Sequence, residues 1–291
     1  MITYKPLPII DPDVQTVMHN TKTSWILDFK DEFIETYDRW IRSSKNFVIN
    51  GLDTFKKVSV TDGVTGAFSN FEKMYSGETV VFRGEYPFHR DTGATVIDFV
   101  NQLSKGQKLI ISLPFSATGS THPLMKQALD ICRALDIPVF VDMAYFGISN
   151  LPPVDVSHPA IKMVAFSHSK TFATGKCKIG LCYHNTDGVS PMELLNQYNY
   201  INHISAGTHI QLMKIFTPDH MYCKYHVKQK LIAEVLEVDA SPCVHLCTST
   251  DDKWKGFSRD GFINRLGVAP LLVSYPFDKD SILRATRVPK P

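Results

Sequence analysis

The feature that most constrains this chain is a series of short apolar runs, each stopping at a polar residue or a proline, between positions 58 and 183. The runs cover 58–61, 79–82, 109–113, 138–141, 163–166 and 179–183. Several are continuous in Val, Ile, Leu and Phe, the pattern of strands buried on both faces. Helical spacing appears between and around them. Trp25, Phe29, Phe33, Tyr37, Trp40 and Ile41 share one face over 25–45, Phe68, Phe71 and Tyr75 another, and 123–135 a third. Strands alternating with helices predict a largely parallel sheet flanked by helices. After residue 190 the character changes: helices are expected over 191–200 and 205–236, and strands over 244–247 and 271–273. The fold class expected is therefore α/β, with a mostly parallel sheet and a smaller α+β terminal domain. The expected division is a large unit over 46–205 and a small one made of 1–45 plus 206–291. A chain of 291 residues is long enough for both.

Composition narrows the function classes. Hydrophobic residues make up 44% and charged residues 21%, as in ordinary globular chains. A formal net charge of +2 argues against a dedicated nucleic-acid or anionic-membrane binder. No apolar run approaches the roughly 20 residues that cross a bilayer. The opening residues MITYKPLPIIDPD lack the charged-then-apolar pattern of a signal peptide, so a cytoplasmic protein is expected. Six cysteines are scattered, and a chain of this length needs no disulfide staples. Cys243, His245 and Cys247 alternate in a segment read as a strand, which would turn all three to one face. No Cys-x-x-Cys pair supplies a fourth ligand, so these read as buried or edge-strand thiols and no metal is expected.

Ligands of open parallel sheets sit at the carboxyl ends of the strands, and four polar loops occupy that position here. Asp62-Gly63-Val64-Thr65-Gly66 puts backbone N–H groups and a hydroxyl at a helix start, which suits a phosphate, although most such turns bind nothing. Ser116-Ala117-Thr118-Gly119 alone is an ordinary turn. Asp142 ends an apolar strand, where it can cap the next element or face a cationic ring nitrogen. Lys170 in Ser167-His168-Ser169-Lys170 lies just past a buried strand among small hydroxyl residues. There a lysine is either a solvated loop residue or an amine nucleophile of lowered pKa. Taken together, a phosphate cradle, a strand-end Asp and a strand-end Lys 28 residues later are the parts that pyridoxal 5'-phosphate (PLP) requires.

On these residues the chain resembles the fold-type I, class I/II aminotransferase family. Ser116-Ala117-Thr118-Gly119 is similar to the family's Asn-Pro-Thr-Gly, Asp142-x-Ala-Tyr145 to its Asp-x-Ala-Tyr, and Ser167-x-Ser-Lys170 to its Ser-x-Ser-Lys. Gly175-Lys-Cys-Lys178-Ile-Gly180 resembles its Gly-x-Arg-x-Gly, with Lys178 eight residues past Lys170. Tyr86-Pro87 falls where the family has an aromatic residue over the PLP ring. Order and spacing agree from about 58 to 183.

The resemblance implies a role for each position. Lys170 would hold PLP as a Schiff base and shuttle the proton, Asp142 would pair with the pyridinium nitrogen, and Tyr145 would donate to the phenolic oxygen. Val64, Thr65, Ser167 and Lys178 would hold the phosphate, and Tyr86 would stack on the ring. Two positions depart from the family: Ser116 replaces an Asn that touches the phenolic oxygen, and Lys178 replaces an Arg, keeping the charge but losing the two-pronged fork. A substrate-carboxylate arginine is expected on a C-terminal strand, at Arg284 or, second, at Arg287. His168 reads as local packing. The segment from His203 to Gln211 weakly resembles one near the family's dimer interface, so a homodimer is expected.

The resulting expectation is an enzyme of amino-acid metabolism, a PLP-dependent aminotransferase moving an amino group between an amino acid and a keto acid. Two alternatives stand beside it. One is another PLP reaction on an amino acid, such as decarboxylation, elimination or racemisation, because substrate orientation selects the bond that breaks. The other is a non-catalytic module of the same fold.

Overall fold

Each apolar run of the first half becomes a strand, and the gaps between them become helices, turns and two short strands that the runs did not announce. The computed structural model describes residues 2–3, 5–23, 26–274 and 277–285, without the side chains at 281, 284 and 285. Trp25 thus lies outside the described residues. The chain begins with α1 (Pro12–Asn20), α2 (Lys30–Arg42) and the short β1 (Ile49–Asn50). It continues through β2 (Lys57–Thr61), α3 (Gly63–Met74), β3 (Glu78–Phe82), α4 (Pro87–Asp91), β4 (Thr95–Ile97), β5 (Gln107–Ser112) and α5 (Met125–Ala134). Next come β6 (Val139–Met143), β7 (Val154–Asp155), β8 (Ile161–Ser167) and β9 (Gly180–His184). Three helices follow, α6 (Pro191–Gln197), α7 (His203–Ile215) and α8 (His220–Leu236). The chain then forms β10 (Asp239–Ala240), β11 (Leu246–Ser249), β12 (Ser258–Arg259), β13 (Ile263–Gly267), α9 (Ala269–Leu272) and α10 (Lys279–Ala285).

The main sheet has seven strands in the order β2-β9-β8-β6-β5-β3-β4. All neighbours are parallel except along β9, which runs against both β2 and β8. The period-two alternation of side chains divides the core between the two faces. Val81, Ile110, Phe140, Met163, Ala165 and Cys182 pack with α3 through Val64, Ala67, Phe68 and Phe71. The intervening Val80, Phe82, Leu109, Ile111, Val139, Val141, Val164 and Phe166 join the larger core on the other face. That core continues into Cys243, Leu246, Cys247 and Leu266 around a four-stranded antiparallel sheet, β10-β11-β13-β12. β1 and β7 form a separate parallel pair.

Several expectations for the second half need correction. Residues 271–273 are not a strand: Ala269–Leu272 is a helix with Pro270 in its first turn. An apolar run this short fits either state, and the proline, which cannot donate to a ladder but suits a helix start, decides it. The helix expected over 205–236 is two helices, broken at Phe216-Thr217-Pro218. Cys243 and His245 precede β11, so these residues and Cys247 do not alternate along one strand. Among the described residues no three His, Cys, Asp or Glu side chains are gathered to hold a metal ion. Nor, among those residues, is any helix long and apolar enough to cross a membrane.

Besides His89, five histidines are buried among the described residues: His122, His168, His184, His209 and His245. His168 is packed among Tyr37, Trp40, Phe172 and His209. Burial lowers all five pKa values, to about 4 for His122, His184 and His209 and well below the ordinary value for the other two. The sign follows from linkage. Below a pH of about 6.5 the unfolded chain takes up protons that the folded chain refuses, so stability is full above that pH and falls toward pH 4. We predict that Tm drops by more than about 5 °C between pH 7 and pH 5, read by calorimetry. An unchanged Tm over that interval means the imidazoles are not held neutral.

Candidate active site

The carboxyl ends of β2, β5, β6 and β8 lie along one edge of the main sheet, and the reversed β9 begins at the same edge. A cavity of about 220 Å³ opens there. Val64, Thr65, Tyr86, Ser116, Asp142, Tyr145, Ser167, Lys170 and Lys178, selected from sequence, all line it.

The turn from β2 into α3 is shaped for close approach. Gly63 opens the helix at φ +68°, and a β-carbon there would sit 3.3 Å from Ser167 Oγ and 3.9 Å from Lys178 Cβ. Gly180 is tighter, since a β-carbon would meet the Phe166 carbonyl at 2.3 Å. A side chain at either position would strain the backbone or push β9 away from β8. Asp62, at the N-cap, makes no side-chain capping bond, which leaves the first-turn amides of α3 for another acceptor. Thr65 and Ser167 add hydroxyls, and Lys178 is an exposed cation at the same cavity.

Asp142 is buried near the end of β6, in register with Ser112 of β5 and Ala165 of β8. Its Oδ1 accepts from the Ala144 amide at 2.8 Å, so it does perform the local turn role. Its Oδ2 meets His89 Nε2 at 3.1 Å. Sequence reasoning missed His89, although the signal was present: it lies three residues past Tyr86, one turn along α4. The buried Tyr145 phenol is pushed up to about 12 by burial, with Arg265 opposing.

Lys170 donates from Nζ to the Pro6 carbonyl at 3.3 Å. Burial lowers its pKa, nearby Arg265 lowers it further, and Asp142 opposes. Pro6 belongs to a strap over the cavity. Thr3 pairs with Gly267 through two backbone hydrogen bonds of 2.9 Å, and Pro8 lines the cavity. Beyond it, buried Asp11 caps α1 and is bound by Tyr225 and Lys224 of α8.

The expected strand around Arg284 is instead the helix α10. The Arg284 side chain and the whole of Arg287 lie outside the described residues. A different arginine approaches the site. Arg265, buried on β13, donates from Nη1 to the Ser116 carbonyl at 2.6 Å and contacts Ser116 Oγ at 3.3 Å. Its signal in Ile-Asn-Arg-Leu-Gly was a charge inside a run whose last four residues are all buried.

The fold is that of solved aminotransferases. An Escherichia coli protein with a methionine aminotransferase function superposes with a TM-score of 0.66 at 16% identity, over 97% of this chain and 91% of that one. A Thermus thermophilus aspartate aminotransferase variant gives 0.65 at 14%, over 97% and 88%. A tyrosine aminotransferase from Leishmania infantum gives 0.63 at 14%, over 96% and 90%. No protein-family profile and no curated protein sequence matches the chain.

The lowered pKa of Lys170 has a direct readout in the protein without cofactor. We predict that an amine-selective acylating reagent, followed by peptide mapping, modifies Lys170 at lower pH than the surface lysines. Arg265→Gln should move that modification to higher pH, because one positive neighbour is gone. A Lys170 profile identical to that of surface lysines contradicts the electrostatics described.

Proposed function

We propose that this protein is a PLP-dependent aminotransferase, moving an amino group between an amino acid and a keto acid. The observation carrying this reading is one cavity, at the strand ends of an aminotransferase fold, walled by an amine of lowered pKa, a buried carboxylate and a phenol. The cradle fits the cofactor's phosphate: a helix start without a capping side chain, a glycine that leaves room beside Ser167, two hydroxyls and a cation. When bound, PLP supplies a ring that stabilises negative charge at the substrate's α-carbon.

The protein's residues do the rest. Lys170 Nζ would hold the cofactor between turnovers and would move the proton from the substrate's α-carbon to the cofactor's C4′ carbon. Its lowered pKa keeps more of the amine in the unprotonated form needed for both tasks. Asp142 would hold a proton on the ring nitrogen by its charge, with the His89 contact keeping it oriented. Tyr145 and Ser116 would serve the phenolic oxygen, Tyr86 would cover the ring, and Val64, Thr65, Ser167 and Lys178 would hold the phosphate. We assign the substrate carboxylate to Arg265, which stands beside Ser116 and within electrostatic reach of Lys170. The arrangement further suggests a cofactor-holding unit over 46–205 and a second unit from 1–45 plus 206–291. A homodimer fits too, because Leu195, Tyr198, Tyr200 and Ile204 form an exposed apolar stretch beside the α3 turn. A cytoplasmic setting accords with six cysteines that are all unpaired.

Borohydride treatment of the PLP-loaded protein should fix the cofactor on Lys170, as read by peptide mapping. Label on another lysine refutes the assignment. Amino acids should then give stoichiometric keto acid, whereas carbon dioxide, ammonia or inverted substrate would mean a different PLP reaction.

Two variants test the supporting roles. Asp142→Asn should retain PLP and lose roughly 100-fold in turnover, since an amide cannot supply the charge. Lys178→Ala should weaken PLP binding by about 1.5 kcal/mol, the low end for a hydrogen bond to a charged group because Lys178 is exposed. Lys178→Arg should bind as well as the original or better. If Lys178→Ala titrates like the unmodified protein, this lysine does not touch the phosphate.

A further inference from the structure

Glu85 is a buried acid that the reading above leaves without a task. It lies in the turn leaving β3, and only 2% of it is exposed. Both carboxyl oxygens accept from the main chain. Oε1 takes the Tyr86 amide at 2.7 Å, and Oε2 takes the Ser112 amide at 2.7 Å. Ser112 Oγ also bonds Oε1, and the same hydroxyl accepts from the Ser116 amide at 3.1 Å. Ser112 ends β5 and is the register partner of Asp142 on β6. One carboxyl group therefore ties together three cavity-lining residues from two separate turns: Tyr86, Ser112 and Ser116.

Burying an acid is costly, so the arrangement calls for a reason. Burial raises the pKa of Glu85, and the nearby His89 together with the hydrogen bonds from Ser112 and Tyr86 offsets only part of that rise. Arg259 holds the same residue from the other side, with Nη2 on the Glu85 carbonyl at 3.0 Å. A serine or threonine here could satisfy one amide. Only a carboxylate offers an acceptor to both backbone amides and to the serine hydroxyl at once.

We propose that Glu85 is a positioning residue for the cofactor ring: its carboxylate fixes the stacking residue Tyr86 relative to the Ser112–Ser116 turn, and so sets the slot that the ring enters. This rests on the PLP reading above. Glu85 touches neither cofactor nor substrate, and acts through the two cavity walls it joins. Glutamine keeps the shape of the side chain but turns one acceptor into a donor. Glu85→Gln therefore sets an N–H against either the Ser112 amide or the Tyr86 amide and releases one wall.

The test uses the whole protein stripped of cofactor and titrated with PLP. The unmodified protein must first bind PLP and be fixed on Lys170 by borohydride; failure there removes the PLP reading and leaves Glu85 out of it. Given binding, Glu85→Gln should weaken PLP affinity about tenfold, in line with losing hydrogen bonds to a charged group. At saturating PLP its cofactor circular-dichroism band should shrink, because the ring is held in a looser orientation. The decisive arm is a double-mutant cycle. In a Tyr86→Ala/Ser116→Ala background, Glu85→Gln should cost less than about twofold, since the side chains by which the two walls would meet the ring are already removed. If the tenfold loss persists in that background, or if the dichroism band of Glu85→Gln is unchanged, Glu85 serves only overall stability and the proposal falls. If Glu85→Gln does not fold, Ser112→Ala replaces it, cutting the link to Ser116 while leaving the carboxylate in place. Unchanged affinity and dichroism in Ser112→Ala overturn the proposal equally.

Discussion

The backbone ladder across β5, β6 and β8 is the constraint on which the rest depends. It pairs Ser112 with Asp142 and Asp142 with Ala165, so the ends of three parallel strands stop within a residue or two of one another. Because the strands are buried on both faces, a slip of one residue would turn each apolar set the wrong way. The strand-end residues thus inherit their positions from the core. Asp142 need not find its place by its own contacts; Leu109, Val139 and Val164 fix it from behind. The reversed β9 adds Lys178 to the same edge by starting where its neighbours finish.

A second layer of polar contacts refines this frame. His89 bonds Asp142, Glu85 joins two turns, and Arg265 bonds Ser116 from a different sheet. His89 lines the cavity, Glu85 and Arg265 stand outside its lining, and each is buried, so each needs a partner more than a surface group would. Arg265 shows the cost most plainly. Burial lowers the pKa values of Lys170, His245 and Arg259, and the positive charge that Arg265 brings close lowers each further. The site holds concentrated cationic character with Asp142 and Glu85 as the buried acids, which suits an anionic cofactor and a carboxylate-bearing substrate.

Six strands of the central sheet were legible from their apolar runs and the polar residue or proline that ends each, whereas the three-residue edge strand Thr95–Ile97 was too short to show. Val139–Met143 and Ile161–Ser167 differ from expectation only at their ends. The wall residues were legible for the same reason, being tied by short spacing to those stops. The second half was less so. Val244 to Thr248 mixes apolar and polar residues that are all buried by tertiary packing, and no local pattern separates turn from strand there. Ile263–Gly267 was passed over because Asn264 and Arg265 read as surface residues, and their burial depends on β11, on Ser116 and on the strap. His89 and Glu85 escaped for a related reason. Their roles come from partners 53 and 27 residues away, which no local periodicity encodes.

The antiparallel course of β9 has one more consequence. Twelve residues, 168–179, leave the end of β8 and return to the start of its neighbour, and within them the chain must deliver both Lys170 and Lys178 to one rim. The two ladders of β9 fix its pleat against β2 and β8 together, with Gly180 pressed on the Phe166 carbonyl. A point substitution in this connection changes one contact. An indel of a single residue must either be absorbed by the loop, displacing Lys178, or be passed into the strand, where Leu181 and Tyr183 would exchange faces with Cys182. The length of this segment is therefore a stricter requirement than its composition. Among homologous chains, variation here should take the form of replaced letters, with gaps confined to connections that do not bridge two halves of one site.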